Sequence, residues 1–103
     1  MFRRRRFSDL IARQLDLFVQ ENDELIRDCE EAEAAYDRAE RDEAEELYGD
    51  YQDLVETGTE ILADLRDNFA RTLDEGESDA YGAEFNRAVA KRLSRFALEI
   101  ENR

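Results

Sequence analysis

Apolar residues recur along the chain at alternating spacings of three and four, which is the pattern of amphipathic helices that pack in bundles. The first stripe consists of Ile11, Leu15, Phe18, Asn22, Leu25, Cys29, Ala32, Tyr36 and Ala39. Ser8 precedes this stripe as a candidate N-cap, because its hydroxyl can accept an unpaired backbone N–H of the first turn. The pattern predicts a long first helix over 8–40.

A second stripe predicts a helix over 43–73. Its members are Ala44, Tyr48, Tyr51, Val55, Gly58, Leu62, Leu65, Phe69 and Leu73. The two stripes are out of phase, which happens either where a chain turns or where one helix continues through a stutter. We favour a helical hairpin with its tip within 40–50. The alternative is a continuous long helix over 8–73 in a dimeric coiled coil.

A third helix is predicted over 78–101, because Gly76 can follow the end of one helix and Ser78 can cap the next. Its apolar residues are Tyr81, Phe85, Ala88, Val89, Leu93, Phe96, Ala97 and Ile100. If this helix turns back along the second, it runs parallel to the first and reaches about residue 30 at roughly 1.5 Å per residue.

The apolar face of the first predicted helix is broad up to about residue 30 and narrow beyond it. Its early part is widened by Leu10, Leu17, Val19 and Ile26. Residues 32–50, in contrast, are rich in Ala, Asp and Glu. The sequence therefore predicts an all-α fold, in which an antiparallel helical hairpin and a third helix form an elongated three-helix bundle with a protruding acidic arm, 32–50. We expect one helical domain, 8–103, preceded by a basic flexible tail, 1–7.

The charge distribution narrows the choice of partners. The net charge is −13, but residues 1–15 carry +4 and residues 85–103 carry +3, whereas residues 16–84 carry −20. An acidic surface repels phosphate backbones, so we expect no nucleic-acid binding except through the basic tail. Only one of the 15 basic residues is lysine. This preference for arginine is typical of GC-rich coding and favours a bacterial source.

The residues of common catalytic sites are absent or poorly placed. The sequence contains no histidine, and its one cysteine, Cys29, occupies a position in the apolar stripe. We expect Cys29 to be an inert core thiol in a protein of the reducing cytoplasm. The carboxylates of 30–33 and 43–46 lack a glycine-bearing loop that would converge them on a cation. We therefore expect no catalytic residue, no metal site and no cofactor, and hence a protein that is not an enzyme.

Membrane insertion is not expected either, since no stretch approaches the roughly 20 apolar residues that span a bilayer. Two residues within the stripes have alternative roles. Asn22 either fixes the register of packed helices from a buried position or lies at the solvent edge. Gly58 costs about 1 kcal/mol relative to alanine in a helix, which indicates either close approach of a facing helix or a bend.

Tyr36, Tyr48 and Tyr51 lie near the narrow end of the predicted hairpin, where one partner helix cannot cover all of them. Tyrosine combines a large apolar ring with a polar hydroxyl and is enriched at protein interfaces. We expect these residues to contact a partner protein, which is another protein or a second copy of this chain. This predicts a non-catalytic interaction or scaffold protein; ordinary packing within the hairpin is the alternative for the tyrosines.

Arg3, Arg4, Arg5 and Arg6 support a second functional hypothesis. Four adjacent cations can tether a protein peripherally to an anionic membrane or to nucleic acid, with each arginine contributing about 1 kcal/mol near a lipid surface. The acidic remainder of the chain opposes that attraction. The simpler interpretation is a solubilising tail.

Overall fold

The structure, a computed structural model, describes residues 6–103 and contains helices but no strand within that range. The elements are α1 (Ser8–Glu21), α2 (Asp23–Asp37), α3 (Ala44–Ala70), α4 (Glu75–Arg92), a short 3-10 helix (Ser94–Phe96) and α5 (Ala97–Glu101). The described chain measures 52 × 26 × 25 Å. The predicted all-α class and elongated bundle are confirmed.

The first predicted helix is interrupted at Asn22, which lies between α1 and α2 with φ −125° and ψ 29°. Its backbone N–H and its side-chain Nδ2 both donate to the carbonyl of Phe18, at 2.9 and 3.0 Å. The amide adds a second donor to a carbonyl that already accepts a helical bond, and bonding of this kind to the carbonyl four residues earlier favours a bend. The half-buried Asn22 side chain thus acts on its own helix and does not set register with a partner helix.

Residues 38–43 form the turn of the hairpin, and α2 then packs along α3. The turn begins with a hydrogen bond from the Ala39 N–H to the Tyr36 carbonyl at 3.0 Å. Tyr36 and Tyr48 face each other across the hairpin with ring centroids 5.2 Å apart. The hairpin is confirmed, with its tip slightly earlier than the predicted 40–50. The alternative of one continuous helix is wrong.

α1 begins at Ser8 as predicted, but neither serine caps its helix, and the predicted start of the third helix at residue 78 is wrong. α1 has no side-chain cap, and Phe7 occupies the N-cap position in place of Ser8. α4 is capped by Asp74, whose Oδ1 accepts the Glu77 N–H at 3.0 Å. The helix therefore begins at Glu75, before Ser78, and its acidic first turn is favourable at the positive end of the helix dipole.

The predicted third helix also ends early, because Leu93 leaves the helical region with φ −130° and ψ 57°. The chain then reverses. Arg66 Nη1 donates to both Asn86 Oδ1 and the Ile100 carbonyl, at 3.0 and 3.1 Å. A straight helix would separate residues 86 and 100 by about 21 Å, so these two bonds require the reversal. The prediction of one helix over 78–101 is therefore wrong at its C-terminal end.

The body of the molecule is the three-helix region formed by α1, α3 and α4 with α5. Phe7 contacts Tyr81 and Phe18 contacts Phe96 at ring-centroid distances of 5.5 and 5.9 Å, so α4 runs parallel to α1 as predicted. The buried apolar core consists of Ile11, Leu15, Phe18, Cys29, Val55, Leu62, Ala63, Tyr81, Phe85, Val89, Phe96 and Ile100. Cys29 is the one buried residue of α2. The hairpin therefore has little buried core beyond the three-helix body.

Gly58 is a site of close approach. A Cβ placed on it would lie 2.5 Å from Cε1 of Phe96, well inside van der Waals contact. The prediction of close packing is therefore confirmed, although the neighbour is the ring of Phe96 in the 3-10 helix and not the backbone of a straight helix. The absence of a side chain at Gly58 lets this ring reach the core.

The buried phenol of Tyr81 makes the free energy of unfolding decrease at alkaline pH. Its side chain is 0% exposed, and its hydroxyl donates to Gln14 Oε1 at 2.8 Å. Burial raises the pKa of Tyr81 to about 12, although the hydrogen bond to Gln14 acts in the opposite direction. The phenol of an unfolded chain titrates near pH 10, so the contribution of Tyr81 is complete below about pH 10 and is lost as the pH rises through about 12.

We expect the free energy of unfolding of the wild type to fall relative to that of Tyr81→Phe by roughly 2 kcal/mol between about pH 10 and 12. Urea unfolding at stepped pH measures this difference. Tyr36→Phe, which alters an exposed tyrosine, should follow the wild type. A constant difference between wild type and Tyr81→Phe across this range would show that Tyr81 does not titrate in the folded state as proposed.

Candidate functional site

The acidic arm, defined as residues 32–50, comprises the end of α2, the turn 38–43 and the start of α3. It contains eight acidic residues and two arginines. None of its residues is buried, whereas the buried residues of α3 begin at Val55. The arm therefore presents its side chains on the surface beyond the three-helix body.

The structure brings the three predicted tyrosines together, two of them on this arm and Tyr51 directly after it. Tyr36 packs on Tyr48 with ring centroids 5.2 Å apart, and Tyr48 packs on Tyr51 at 6.5 Å. Tyr36 is 38% exposed and Tyr48 is 44% exposed. These two rings form an apolar patch with hydroxyl groups on an arm whose eight acidic residues are all exposed.

Tyr51 differs from the other two tyrosines because Arg95 ties it to the body. Arg95 Nε donates to the Tyr51 hydroxyl at 3.2 Å, and its guanidinium lies 5.8 Å from the centre of the Tyr51 ring. The same guanidinium pairs with Glu33 at 2.8 Å. Arg95 therefore marks the base of the arm, and Tyr51 serves the junction while Tyr36 and Tyr48 remain available.

Cys29 is fully buried near this junction. Burial raises the pKa of the Cys29 thiol, although the positive charge of Arg95 opposes the shift. A thiol with a raised pKa is mostly protonated at neutral pH and is a poor nucleophile. The predicted position of Cys29 in the core is confirmed.

The arginine tail is described only at its end. Arg3, Arg4 and Arg5 lie outside the described residues. Arg6 pairs with Glu77 in the first turn of α4, while its own side chain stays 70% exposed. Phe7, the next residue, is held by α4, because its backbone N–H donates to the side-chain Oε2 of Glu84 at 3.1 Å.

A second surface feature, which we call the basic groove, lies between α1 and α4 and has a volume of about 320 Å³. It is lined by Ser8, Ile11, Ala12, Leu15, Glu84, Arg87, Ala88, Lys91 and Arg92. Arg92 pairs with Asp16 on α1. Arg87 and Lys91 are exposed and have no ion-pair partner among residues 6–103.

Sequence reasoning missed both Arg95 as a junction residue and the basic groove. The basic residues of α4 and the turn after it recur at four-residue spacing, which places them on one side of the third helix. That signal shows that the cations are neighbours. It does not show which of them meets a carboxylate, because that depends on how α4 is seated beside α1.

Within residues 6–103, no group of three or more acidic or cysteine side chains is arranged to hold a metal ion. None of the described helices is both long enough and apolar enough to cross a bilayer. No protein-family model matches the sequence, and comparisons with curated proteins and with solved structures found no similar protein.

Proposed function

We propose that this chain is a non-catalytic helical interaction protein whose acidic arm contacts a partner protein. The observation that carries the proposal is the pair Tyr36 and Tyr48, whose tilted rings pack on each other and stay exposed on an acidic arm beyond the three-helix body. Tyrosines are frequent energetic centres of protein interfaces, because they bury a large ring while the hydroxyl keeps a polar partner.

The division of the molecule into body and arm supports this proposal. The body contains nearly all of the buried apolar residues and accounts for folding, whereas the arm contains no buried residue. All eight acidic residues of the arm are exposed and contribute little to packing. A projecting surface of this composition is better suited to recognition than to stability.

The charge of the arm restricts the partner to a complementary surface. Eight acidic residues against two arginines repel anionic lipid and nucleic acid and attract a basic protein face. Such charge complementarity accelerates encounter and selects against acidic partners. The Tyr36 and Tyr48 rings would then supply the apolar centre of the contact.

The test is affinity capture from the native cell with the full chain and three variants. Tyr36→Ala/Tyr48→Ala removes the exposed pair and leaves Tyr51 with Arg95. Leu17→Ala/Leu98→Ala is the matched control, since these body residues are 54% and 76% exposed. The third variant lacks residues 1–5. Circular dichroism confirms that each variant folds.

We expect the tyrosine variant to lose the captured partner by at least about tenfold, because truncating a central aromatic residue commonly costs more than 1 kcal/mol. The leucine control and the shortened chain should retain it. Retention by the tyrosine variant would contradict the proposal. Loss only on removal of residues 1–5 would instead support the competing proposal, a peripheral tether that uses the arginine tail.

A further inference from the structure

The basic groove is suited to an acidic occupant. Arg87 and Lys91 lie one turn apart on α4, both are exposed, and neither has an ion-pair partner in the described part of the chain. Glu84 lines the same groove but is buried and already accepts the Phe7 N–H. In a protein of net charge −13, this is a local positive surface that attracts carboxylates.

The groove also has room for a ring. Its lining includes Ala12 on α1 and Ala88 on α4, two small side chains on neighbouring helices, and its volume is about 320 Å³. Ile11 and Leu15 form its apolar floor and are 2% and 1% exposed. An occupant that combines carboxylates with an aromatic side chain therefore matches both the exposed cations and the apolar lining of the groove.

The acidic arm has this combination of groups. Glu45 and Glu46 are exposed on the first turn of α3, close in sequence to Tyr48, and neither has an ion-pair partner among the described residues. The tip of the arm, where Glu45 and Glu46 lie, cannot reach the groove of its own molecule, since the groove is beside the start of α1 and the tip is at the far end of the hairpin. At roughly 1.5 Å per residue, residues 12 and 38 are about 39 Å apart along the hairpin.

We propose that the acidic arm of one copy binds the basic groove of a second copy, so that the chain forms an antiparallel homodimer. The inference rests on the proposed function and names the partner of the same surface. With the groove beside α1 and the tip of the arm at the far end of the hairpin, two antiparallel copies make two identical contacts. Such two-fold pairing closes the assembly and leaves no free arm or groove for growth into a filament.

Sedimentation equilibrium with charge-reversed variants tests the proposal. The arm variant is Glu45→Lys/Glu46→Lys, and the groove variant is Arg87→Glu/Lys91→Glu. Glu56→Lys/Glu60→Lys is the matched control, since both glutamates are exposed on α3 outside the arm. Circular dichroism and thermal unfolding establish that all variants fold.

The wild type is expected to dimerise and to dissociate more as salt is raised, because ions screen exposed charges beyond about 10 Å at 0.1 M. Each reversed variant alone should dimerise at least about tenfold more weakly. The arm variant is decisive, since it lowers the net negative charge and would dimerise better if general repulsion controlled association. Mixing the two variants should restore dimers, because one contact is then native and the other has both charges reversed.

A wild type that remains monomeric up to about 100 µM would overturn the inference, since it would place the dissociation constant well above that concentration. So would an arm variant that dimerises as well as the wild type, or a mixture that does not associate. These failures are distinct from failure of the proposed function. A monomeric chain whose capture of another protein still depends on Tyr36 and Tyr48 would refute the dimer and leave the arm as a partner-binding surface.

Discussion

Replacing Phe96 with alanine is expected to lower the free energy of unfolding by about 3 to 5 kcal/mol, the usual cost of removing a buried aromatic ring. The side chain is 2% exposed and contacts Phe18 edge to face at 5.9 Å. It also fills the space left by Gly58. Because the ring joins α1, α3 and the 3-10 helix, its loss leaves a cavity where three elements meet.

Chemical denaturation measures this effect, and Leu98→Ala is its matched control. Leu98 lies two residues further along the chain and is 76% exposed, so its truncation should change stability by less than about 0.5 kcal/mol. Similar losses in the two variants would show that the Phe96 ring is not a packing centre. A Phe96→Ala loss below about 1 kcal/mol would contradict the prediction.

A second substitution at Gly58 tests whether the same contact is responsible. Gly58→Ala alone places a Cβ 2.5 Å from the Phe96 ring and should destabilise the protein, despite the roughly 1 kcal/mol that alanine contributes to helix propensity. In the Phe96→Ala background the space is open, and the same substitution should stabilise. This change of sign is the signature of direct contact between the two positions.

The helical hairpin and its parallel third segment could be predicted from sequence because they follow from the spacing and length of the apolar stripes. Breaks within the helices could not. Leu93 is a residue with high helix propensity, and nothing local marks it as an end. The reversal there is imposed by tertiary packing, since Phe96 and Ile100 reach the core only when the chain folds back.

Asn22 illustrates a different difficulty. Asparagine in an apolar stripe fits both a register-setting contact and a solvent-edge position, and the stripe alone does not distinguish them. In the structure its amide bonds to the Phe18 carbonyl four residues earlier. Whether the amide forms this bond depends on the local backbone geometry, which cannot be read from the spacing of apolar residues.

For the candidate site, the sequence predicted which tyrosines lie close together but not their different roles. Tyr36, Tyr48 and Tyr51 fall on two facing stripes, so the hairpin alone brings them together. Their different roles depend on Arg95, which comes from the other end of the sequence and reaches both Tyr51 and Glu33. Assigning such a long-range contact requires the break at Leu93, and this break was missed.

Arg66→Ala is expected to lower the free energy of unfolding by about 3 kcal/mol, because it removes a buried cation that holds α5. The residue is 6% exposed. Its guanidinium donates to three acceptors, which are Asp67 Oδ1 at 2.8 Å, Asn86 Oδ1 at 3.0 Å and the Ile100 carbonyl at 3.1 Å. Without it, the Ile100 carbonyl loses its hydrogen bond from Arg66 and a gap opens between α3, α4 and α5.

Because Arg66 is the side chain that links α3 to the backbone of α5, its loss should release α5 more than the rest of the fold. Hydrogen exchange is expected to accelerate most at amides 97–101, while denaturant unfolding reports the global change. Arg71→Ala is the matched control, since Arg71 is exposed and bonds only locally to Asn68 at 2.8 Å. Its effect should stay within about 0.5 kcal/mol. If α5 amides keep their protection in Arg66→Ala, the guanidinium does not hold α5, and burial of Phe96 and Ile100 alone maintains the reversal.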